Sequence, residues 1–176
     1  MKTAQDHGAP LRLVEATVAV NDARKRAMAR KVMAAAGGNL RGKTIAVLGL
    51  TFKPNTDDIR EAPALTIIQA LQDAGATIRA HDPQGMDAAR PLLPGIVFAN
   101  SAYEAAEGAS ALVIITEWDA FRALDLARLR QSMARAVLVD LRNIYKREEV
   151  ERAGFAYASV GRPASRPLEP LLEAAE

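Results

Sequence analysis

Short apolar runs, separated by polar stretches that contain glycine or proline, recur along most of the 176-residue chain. Several of these runs have the length and the β-branched or aliphatic content of buried strands. They lie at residues 44–48, 77–81, 96–98, 111–115, 136–139 and 155–159. Segments that are typical of helices follow the first five strands at residues 63–73, 86–92, 102–107, 125–133 and 147–153.

Strands that alternate with helices predict βαβ units. The sequence therefore predicts an α/β fold, with a Rossmann-like, doubly wound parallel sheet of about six strands. The commonest strand order, 3-2-1-4-5-6, reverses between the first and fourth strands, and ligands bind at the carboxyl ends of such a crevice. Its loops are residues 49–62 and 116–121, with the loop 140–145 beside them.

A long N-terminal helix is predicted over residues 10–36, where alanine and basic residues dominate. At 1.5 Å per residue it is about 40 Å long, which is more than the side of a small domain requires. We expect its early half to contact something outside the fold, such as a second copy of the chain, and its later half to pack on the sheet. The apolar stripe is thin and includes two polar residues: Val14, Val18, Asn21, Lys25, Met28 and Val32.

Composition divides the chain into four parts. We expect a disordered lead (1–9), a linker helix (10–38), an α/β domain (39–162) and a Pro-rich tail (163–176).

The net charge of +2, with acids and bases interspersed, argues against nucleic-acid binding. No apolar run is long enough to cross a membrane, and the first residues do not resemble a signal peptide. We therefore expect a cytoplasmic protein. The chain contains no cysteine, which excludes any mechanism that uses a cysteine of its own.

The first strand–helix loop lacks the three glycines of a dinucleotide-binding turn, because Gly49 stands alone. Lys53, Arg60 and Arg142 are instead placed at the crevice. Lysine and arginine suit phosphate groups. An equally good interpretation is that Arg60 and Lys53 pair with acids of their own loop, Asp57, Asp58 and Glu61.

Aromatic and acidic residues near the crevice are ambiguous. Phe52 and Trp118 have the chemistry to stack on a base or a sugar, although Trp118 fits core packing better. Asp82 precedes proline and is interpreted as part of a turn. Asp57 and Asp58 lack further ligands at suitable spacing, so we expect no metal site.

The segment 48–63, LGLTFKPNTDDIREAP, resembles the motif that opens the UDP-binding domain of the UDP-glucose 6-dehydrogenase family. Further segments resemble that family in the same order, and residues 20–26 resemble the end of its long central helix. The further segments are AHDP (80–83), ASALVIITEWDAF (109–121), LVDLRNIY (138–145) and YASVGR (157–162).

The resemblance implies an enzyme that uses NAD to oxidise UDP-glucose to UDP-glucuronate, through a thioester on a cysteine. It implies that an N-terminal domain binds NAD, that the helix over residues 10–36 builds a homodimer, and that the C-terminal domain binds UDP. By motif match, Phe52, Lys53 and Arg142 would contact the UDP-sugar, and Arg60 would reach towards NAD.

The chain departs from the family pattern, since it has no cysteine and no glycine fingerprint. We therefore expect an excised domain or a truncated gene product that is inactive alone and carries no catalytic residue. The alternatives are a non-catalytic oligomerisation module, or the same domain from a UDP-N-acetylmannosamine or GDP-mannose dehydrogenase. The segment TEWD (116–119) favours UDP-glucose.

Overall fold

A computed structural model describes residues 2–9 and 11–163. Its centre is a six-stranded sheet in the order β3-β2-β1-β4-β5-β6, in which every neighbouring pair is parallel. The predicted fold class and strand order are confirmed. The strands are β1 (Thr44–Leu48), β2 (Thr77–His81), β3 (Val97–Phe98), β4 (Ala111–Ile114), β5 (Val137–Asp140) and β6 (Ala156–Ser159).

Helices precede the sheet and connect its strands. They are α1 (Lys2–Asp6), α2 (Arg12–Ala35), α3 (Pro63–Asp73), α4 (Met86–Ala89), α5 (Ala102–Ala106), α6 (Asp119–Arg122), α7 (Leu126–Ser132) and α8 (Arg147–Arg152).

Two short helices differ from the sequence prediction. Helix α1 lies inside the predicted disordered lead, where His7 Nδ1 is 2.9 Å from the carbonyl oxygen of Thr3. Helix α6 lies in the predicted loop after β4, and four residues give too little periodicity to reveal it. Pro10 and the predicted tail beyond Pro163 lie outside the described residues.

The sheet separates two apolar cores, and alternate residues of each central strand point into opposite ones. In β1, Ile45 and Val47 face the core beneath α2 and α3, whereas Ala46 and Leu48 face the core beneath α5 and α7. A strand that is buried on both faces explains why its sequence is continuously apolar.

Helix α2 packs on this domain through its later half. Ala29, Val32 and Ala36 are buried, and the carbonyl oxygen of Ala36 accepts hydrogen bonds from Lys43 Nζ at 2.7 Å and Arg135 Nη1 at 3.0 Å. These two cations lie at the negative, C-terminal end of the α2 dipole, which stabilises the helix. Their hydrogen bonds also fix α2 to the sheet domain.

The early half of α2 is exposed in the described chain. Leu13 is 86% exposed and Val20 is 65% exposed. These two residues lie seven positions apart and share a face outside the stripe that the sequence predicted. Across the described residues, no helix is both long and apolar enough to cross a membrane.

Candidate functional site

The β1–α3 loop, residues 49–62, turns at Gly49 against the next strand of the sheet. Gly49 has a φ of +96°, and a Cβ placed on it would lie 2.5 Å from both the backbone nitrogen and the Cβ of Thr116. Only glycine fits such an approach without displacing Thr116 and the segment that follows β4. Thr116 Oγ1 also donates to the carbonyl oxygen of Thr51 at 2.8 Å, which joins the two loops at the crevice.

Asp82 holds the start of this loop from the end of β2. Its side chain is fully buried, and its Oδ2 accepts from the backbone nitrogens of Leu50 and Thr51 at 2.7 and 3.2 Å. Trp118 Nε1 donates to the same oxygen at 3.1 Å, while the nitrogens of Gln84 and Gly85 donate to Oδ1. The carboxylate thus joins three loops of the crevice.

Burial alone would raise the pKa of Asp82, but the backbone N–H groups of Leu50, Gln84, Gly85 and Thr51 outweigh this effect and lower it. Asp82 therefore serves as a buried anion for the N–H groups that a dinucleotide turn would offer to a pyrophosphate. The N–H groups of Leu50 and Thr51 in this turn are thus already occupied by Asp82. Asp82 was predicted only to form a turn, but it also holds the β1–α3 loop and the side chain of Trp118.

Trp118 belongs to the core, as the packing interpretation predicted. It is 5% exposed and packs in the cluster around Phe121 and Tyr145. Its indole nitrogen is occupied by Asp82 and Thr51, so the ring fixes the loop after β4.

The β5–α8 loop, residues 141–146, is held by Asp140 at the end of its own strand. The buried carboxylate accepts from the backbone nitrogens of Arg142 and Tyr145, each at 3.0 Å, and from Tyr157 Oη at 3.1 Å. Burial and the charge of Asp140 raise the pKa of Tyr157 to about 12, so its hydroxyl stays protonated and donates. This loop therefore has a defined conformation.

Arg142 projects from this loop and pairs with Glu117 of the neighbouring loop. Its Nε and Nη2 each lie 2.6 Å from one oxygen of the Glu117 carboxylate, which is a bidentate ion pair. The Arg142 hydrogen bond is the main cause of the lowered pKa of Glu117. The sequence prediction placed Arg142 at the crevice correctly but did not identify Glu117.

Arg60 has a carboxylate partner within its own loop. Its Nε and Nη2 donate to Asp58 at 3.0 and 2.8 Å, and this side-chain contact lowers the pKa of Asp58 to about 2. The salt-bridge interpretation from sequence thus holds for Arg60. Lys53 is exposed and has no hydrogen bond or ion pair among the described residues.

A cavity of about 470 Å³ lies between α2 and the carboxyl edge of the sheet. Ile67, Ile115 and Leu141 contribute apolar side chains to it, while Phe52 and Arg142 line it from the two loops. Phe52 is 55% exposed, so its ring is accessible to a group that enters the cavity.

Helix α2 forms the opposite wall of the cavity with Asn21, Arg24 and Lys25. Lys25 Nζ lies 3.5 Å from Glu61 Oε2, which ties the helix to the β1–α3 loop. The cavity therefore combines apolar walls with three cations, Arg24, Lys25 and Arg142, and two carboxylates, Asp22 and Glu61. Its charged lining has a small excess of positive charge, which suits a ligand with a ring and an anionic part.

The structure brings together two of the four predicted site residues. Phe52 and Arg142 line the same cavity, whereas Lys53 and Arg60 do not belong to its lining. The sequence analysis did not identify Asp82 and Asp140 as the residues that hold the two loops. The available signal was their position, since Asp82 follows one strand and Asp140 ends another at the crevice. Within the described chain, no three His, Asp or Glu side chains are grouped in a way that could hold a metal ion.

Comparisons with known proteins cover the part of the chain that contains both loops of the cavity. The family model described as "UDP-glucose/GDP-mannose dehydrogenase family, UDP binding domain" matches residues 46–147, which include both loops. The UDP-glucose 6-dehydrogenase of Rhizobium meliloti (strain 1021) is 64% identical over 163 residues, which are 93% of this chain and 37% of that protein. A UDP-glucose 6-dehydrogenase of Bacillus subtilis (strain 168) is 37% identical, over 97% of this chain and 37% of the relative.

A solved structure shares the fold. The UDP-glucose dehydrogenase of the hyperthermophilic archaeon Pyrobaculum islandicum has a TM-score of 0.72 and 26% sequence identity, over 89% of this chain and 34% of that one. The chain thus spans little more than a third of the length of these relatives. The family model, the sequence relatives and the fold agree: the chain belongs to the UDP-glucose/GDP-mannose dehydrogenase family, and it contains the family's UDP binding domain.

Proposed function

We propose that this chain binds the UDP part of UDP-glucose for a UDP-glucose 6-dehydrogenase. The observation that carries the proposal is the cavity in which Phe52 and Arg142, from two different loops, meet on one side of an apolar space. The 64% identity to the R. meliloti enzyme supports UDP-glucose as the nucleotide sugar. A UDP-N-acetylmannosamine or GDP-mannose ligand is the alternative within the same family.

The site residues have distinct proposed roles. Arg142 donates to the diphosphate, because a guanidinium offers several N–H groups in a fixed plane. Phe52 covers a ring of the ligand with its exposed face. Lys53 has a long, flexible side chain, and we propose that its ammonium group adds a positive charge near the ligand.

The complete enzyme is proposed to use NAD, and this chain is proposed to be inactive alone. Asp82 occupies the N–H groups of the β1–α3 turn, so this chain offers NAD no pyrophosphate site there. Arg60 is the residue proposed to reach towards NAD, once it leaves Asp58. The chain has no cysteine to form the family's thioester.

Titration calorimetry with UDP tests the proposal directly. We expect binding of UDP in the millimolar range or tighter, and Arg142→Ala should weaken it about tenfold or more because charge-assisted hydrogen bonds to phosphate are lost. Arg152→Ala removes an exposed arginine of α8 and is the matched control. A folded wild-type chain that fails to bind millimolar UDP would contradict the proposal.

We also propose that the chain forms a homodimer through α2. Leu13 and Val20 are large, exposed and on one face of the early half of the helix, and such faces are often covered by a partner. Light scattering should show that the double substitution Leu13→Glu and Val20→Glu lowers the molecular mass to that of a monomer. Leu92→Glu changes a residue that is 54% exposed elsewhere and should leave the mass unchanged.

Light scattering and the UDP titration together test the alternative of a non-catalytic oligomerisation module. A dimer that fails to bind UDP would favour that alternative. A monomer that binds UDP would remove the helix from the proposed interface and leave the binding proposal intact.

A further inference from the structure

Arg142 is fixed at both of its ends. Its backbone nitrogen donates to Asp140 Oδ1 at 3.0 Å, and its guanidinium is held by both oxygens of Glu117. Asn143, the next residue, exchanges hydrogen bonds with the backbone of Val160 at 3.1 and 3.2 Å. A long side chain that is anchored in this way retains little of its rotamer freedom.

The ion pair leaves part of the guanidinium available. An arginine has five N–H groups, and Glu117 uses one on Nε and one on Nη2. In the hydrogen bonds of the described residues, the other N–H groups of this guanidinium have no acceptor. Arg142 lines the cavity and Glu117 does not, so the carboxylate holds the arginine from outside the proposed ligand space.

We propose that Glu117 is a positioning residue that orients Arg142 for the diphosphate of a nucleoside-diphosphate sugar. This inference rests on the proposed function. Glu117 takes the Nε edge of the guanidinium and keeps its remaining N–H groups at the cavity, so that a phosphate meets a preorganised donor. The carboxylate does not contact the ligand.

The Arg60–Asp58 pair shows why this arrangement is specific. Both arginines have a bidentate carboxylate, but Asp58 lies two residues from Arg60 in the same exposed loop and neither lines the cavity. Glu117 comes from the β4–α6 segment and holds an arginine of the β5–α8 loop. It therefore fixes the relative position of two loops at the cavity, which a pair within one loop cannot do.

Substitution of Glu117 by aspartate separates position from charge. Glu117→Asp keeps the negative charge but is one methylene too short to hold both nitrogens in the present geometry. We expect calorimetry to show UDP binding about three- to tenfold weaker, the usual effect of freeing one ordered side chain. Binding of uridine, which has no phosphate, should not change.

A double-mutant cycle with Arg142→Ala makes the test residue-specific. In the Arg142→Ala background, Glu117→Asp should have no further effect on UDP binding. Asp58→Asn breaks the other bidentate pair and should leave UDP binding unchanged. An equal loss for uridine, an effect that persists without Arg142, or wild-type affinity in Glu117→Asp would each overturn the inference.

Glu117→Ala distinguishes positioning from competition. If the carboxylate merely occupied Arg142 until phosphate displaced it, its removal would tighten UDP binding, which would also overturn the inference. We expect weaker binding, as for aspartate.

A measurement without ligand keeps the inference separate from the proposed function. The side-chain Nε–H resonance of Arg142 in nitrogen-15 NMR should exchange slowly with water in the wild type and rapidly in Glu117→Asp. Absence of UDP binding with this difference intact would refute the proposed function alone. Rapid exchange already present in the wild type would refute the positioning of Arg142.

Discussion

The β1–α3 loop and the β5–α8 loop both leave the carboxyl edge of the sheet, and a buried aspartate holds each of them. The first takes its aspartate, Asp82, from the neighbouring strand β2, and the second takes Asp140 from its own strand. Asp82 fixes only the start of a long loop, whereas Asp140 spans most of a short one.

The difference decides how ready each cation is for a ligand. Beyond Thr51 the first loop has two backbone hydrogen bonds, from Phe52 to Asp58 at 2.8 Å and from Ala62 to Ile59 at 3.1 Å. Lys53 is exposed and lies in the segment between Phe52 and Asp58. In the second loop, backbone and side chain of Arg142 are both fixed. The carboxyl edge of the sheet therefore carries one preorganised cation, Arg142, and one cation, Lys53, whose side chain no described residue holds in place.

The comparison predicts that Asp82 matters more for stability than Asp140. An asparagine at position 82 must turn its amide nitrogen towards N–H donors on one side or the other, which leaves at least two buried donors without an acceptor. We expect Asp82→Asn to cost about 3–5 kcal/mol and Asp140→Asn about 1–2 kcal/mol in urea unfolding. Equal losses would mean that the two aspartates hold their loops equally.

The close approach at Gly49 gives the next largest effect. Gly49→Ala adds a methyl group 2.5 Å from the backbone of Thr116 at a φ of +96°, and we expect a loss of about 3 kcal/mol. Gly108→Ala is the matched control, since its φ is +65° but nothing lies within 4 Å of the added Cβ. It should cost about 1 kcal/mol, from backbone strain alone. Similar losses at both positions would show that contact with Thr116 is unimportant.

Acid should weaken the Asp82 loop selectively. Because the pKa of Asp82 is lower in the folded chain than its ordinary 3.8, the stabilisation by its charge is complete above pH 4 and is lost as the pH falls through the folded pKa. The difference in unfolding free energy between wild type and Asp82→Asn should be constant from pH 7 to pH 5 and should narrow below about pH 4. A difference that stays constant down to pH 2 would contradict the lowered pKa.

The strands could be predicted because they depend on local patterns, and their order could be predicted because it is the commonest one for a doubly wound sheet. The continuously apolar runs at 44–48 and 111–115 predicted buried strands, and the alternation of strands and helices predicted parallel pairing. The partners of the polar residues could not be predicted in the same way. Asp82 contacts Leu50 and Trp118, which lie more than 30 positions away in either direction, and no periodicity encodes such contacts.

The candidate site shows the same limit. Phe52 and Arg142 line one cavity, in agreement with their shared place in the motif match. The interpretation from residue types alone treated Lys53, Arg60 and Arg142 as equivalent cations at the crevice. Their difference arises from the acids beside them. Asp58 is near Arg60 in sequence, so that pair was foreseen as an alternative, whereas Glu117 is 25 residues from Arg142 and was not.

The smallest effect on stability is expected for the Arg60–Asp58 ion pair of the β1–α3 loop. Asp58→Asn removes the negative charge that pairs with Arg60. The Arg60 side chain is 87% exposed and that of Asp58 is 34% exposed, so water and salt replace most of the interaction. We expect no measurable change in the urea midpoint of Asp58→Asn at neutral pH. Because Asp58 also accepts from the backbone nitrogen of Arg60, a clear loss would show that this pair shapes its loop as Glu117 is proposed to fix Arg142. If the stability is unchanged, Arg60 can leave Asp58 at little energetic cost, which is the freedom that a residue proposed to reach towards NAD requires.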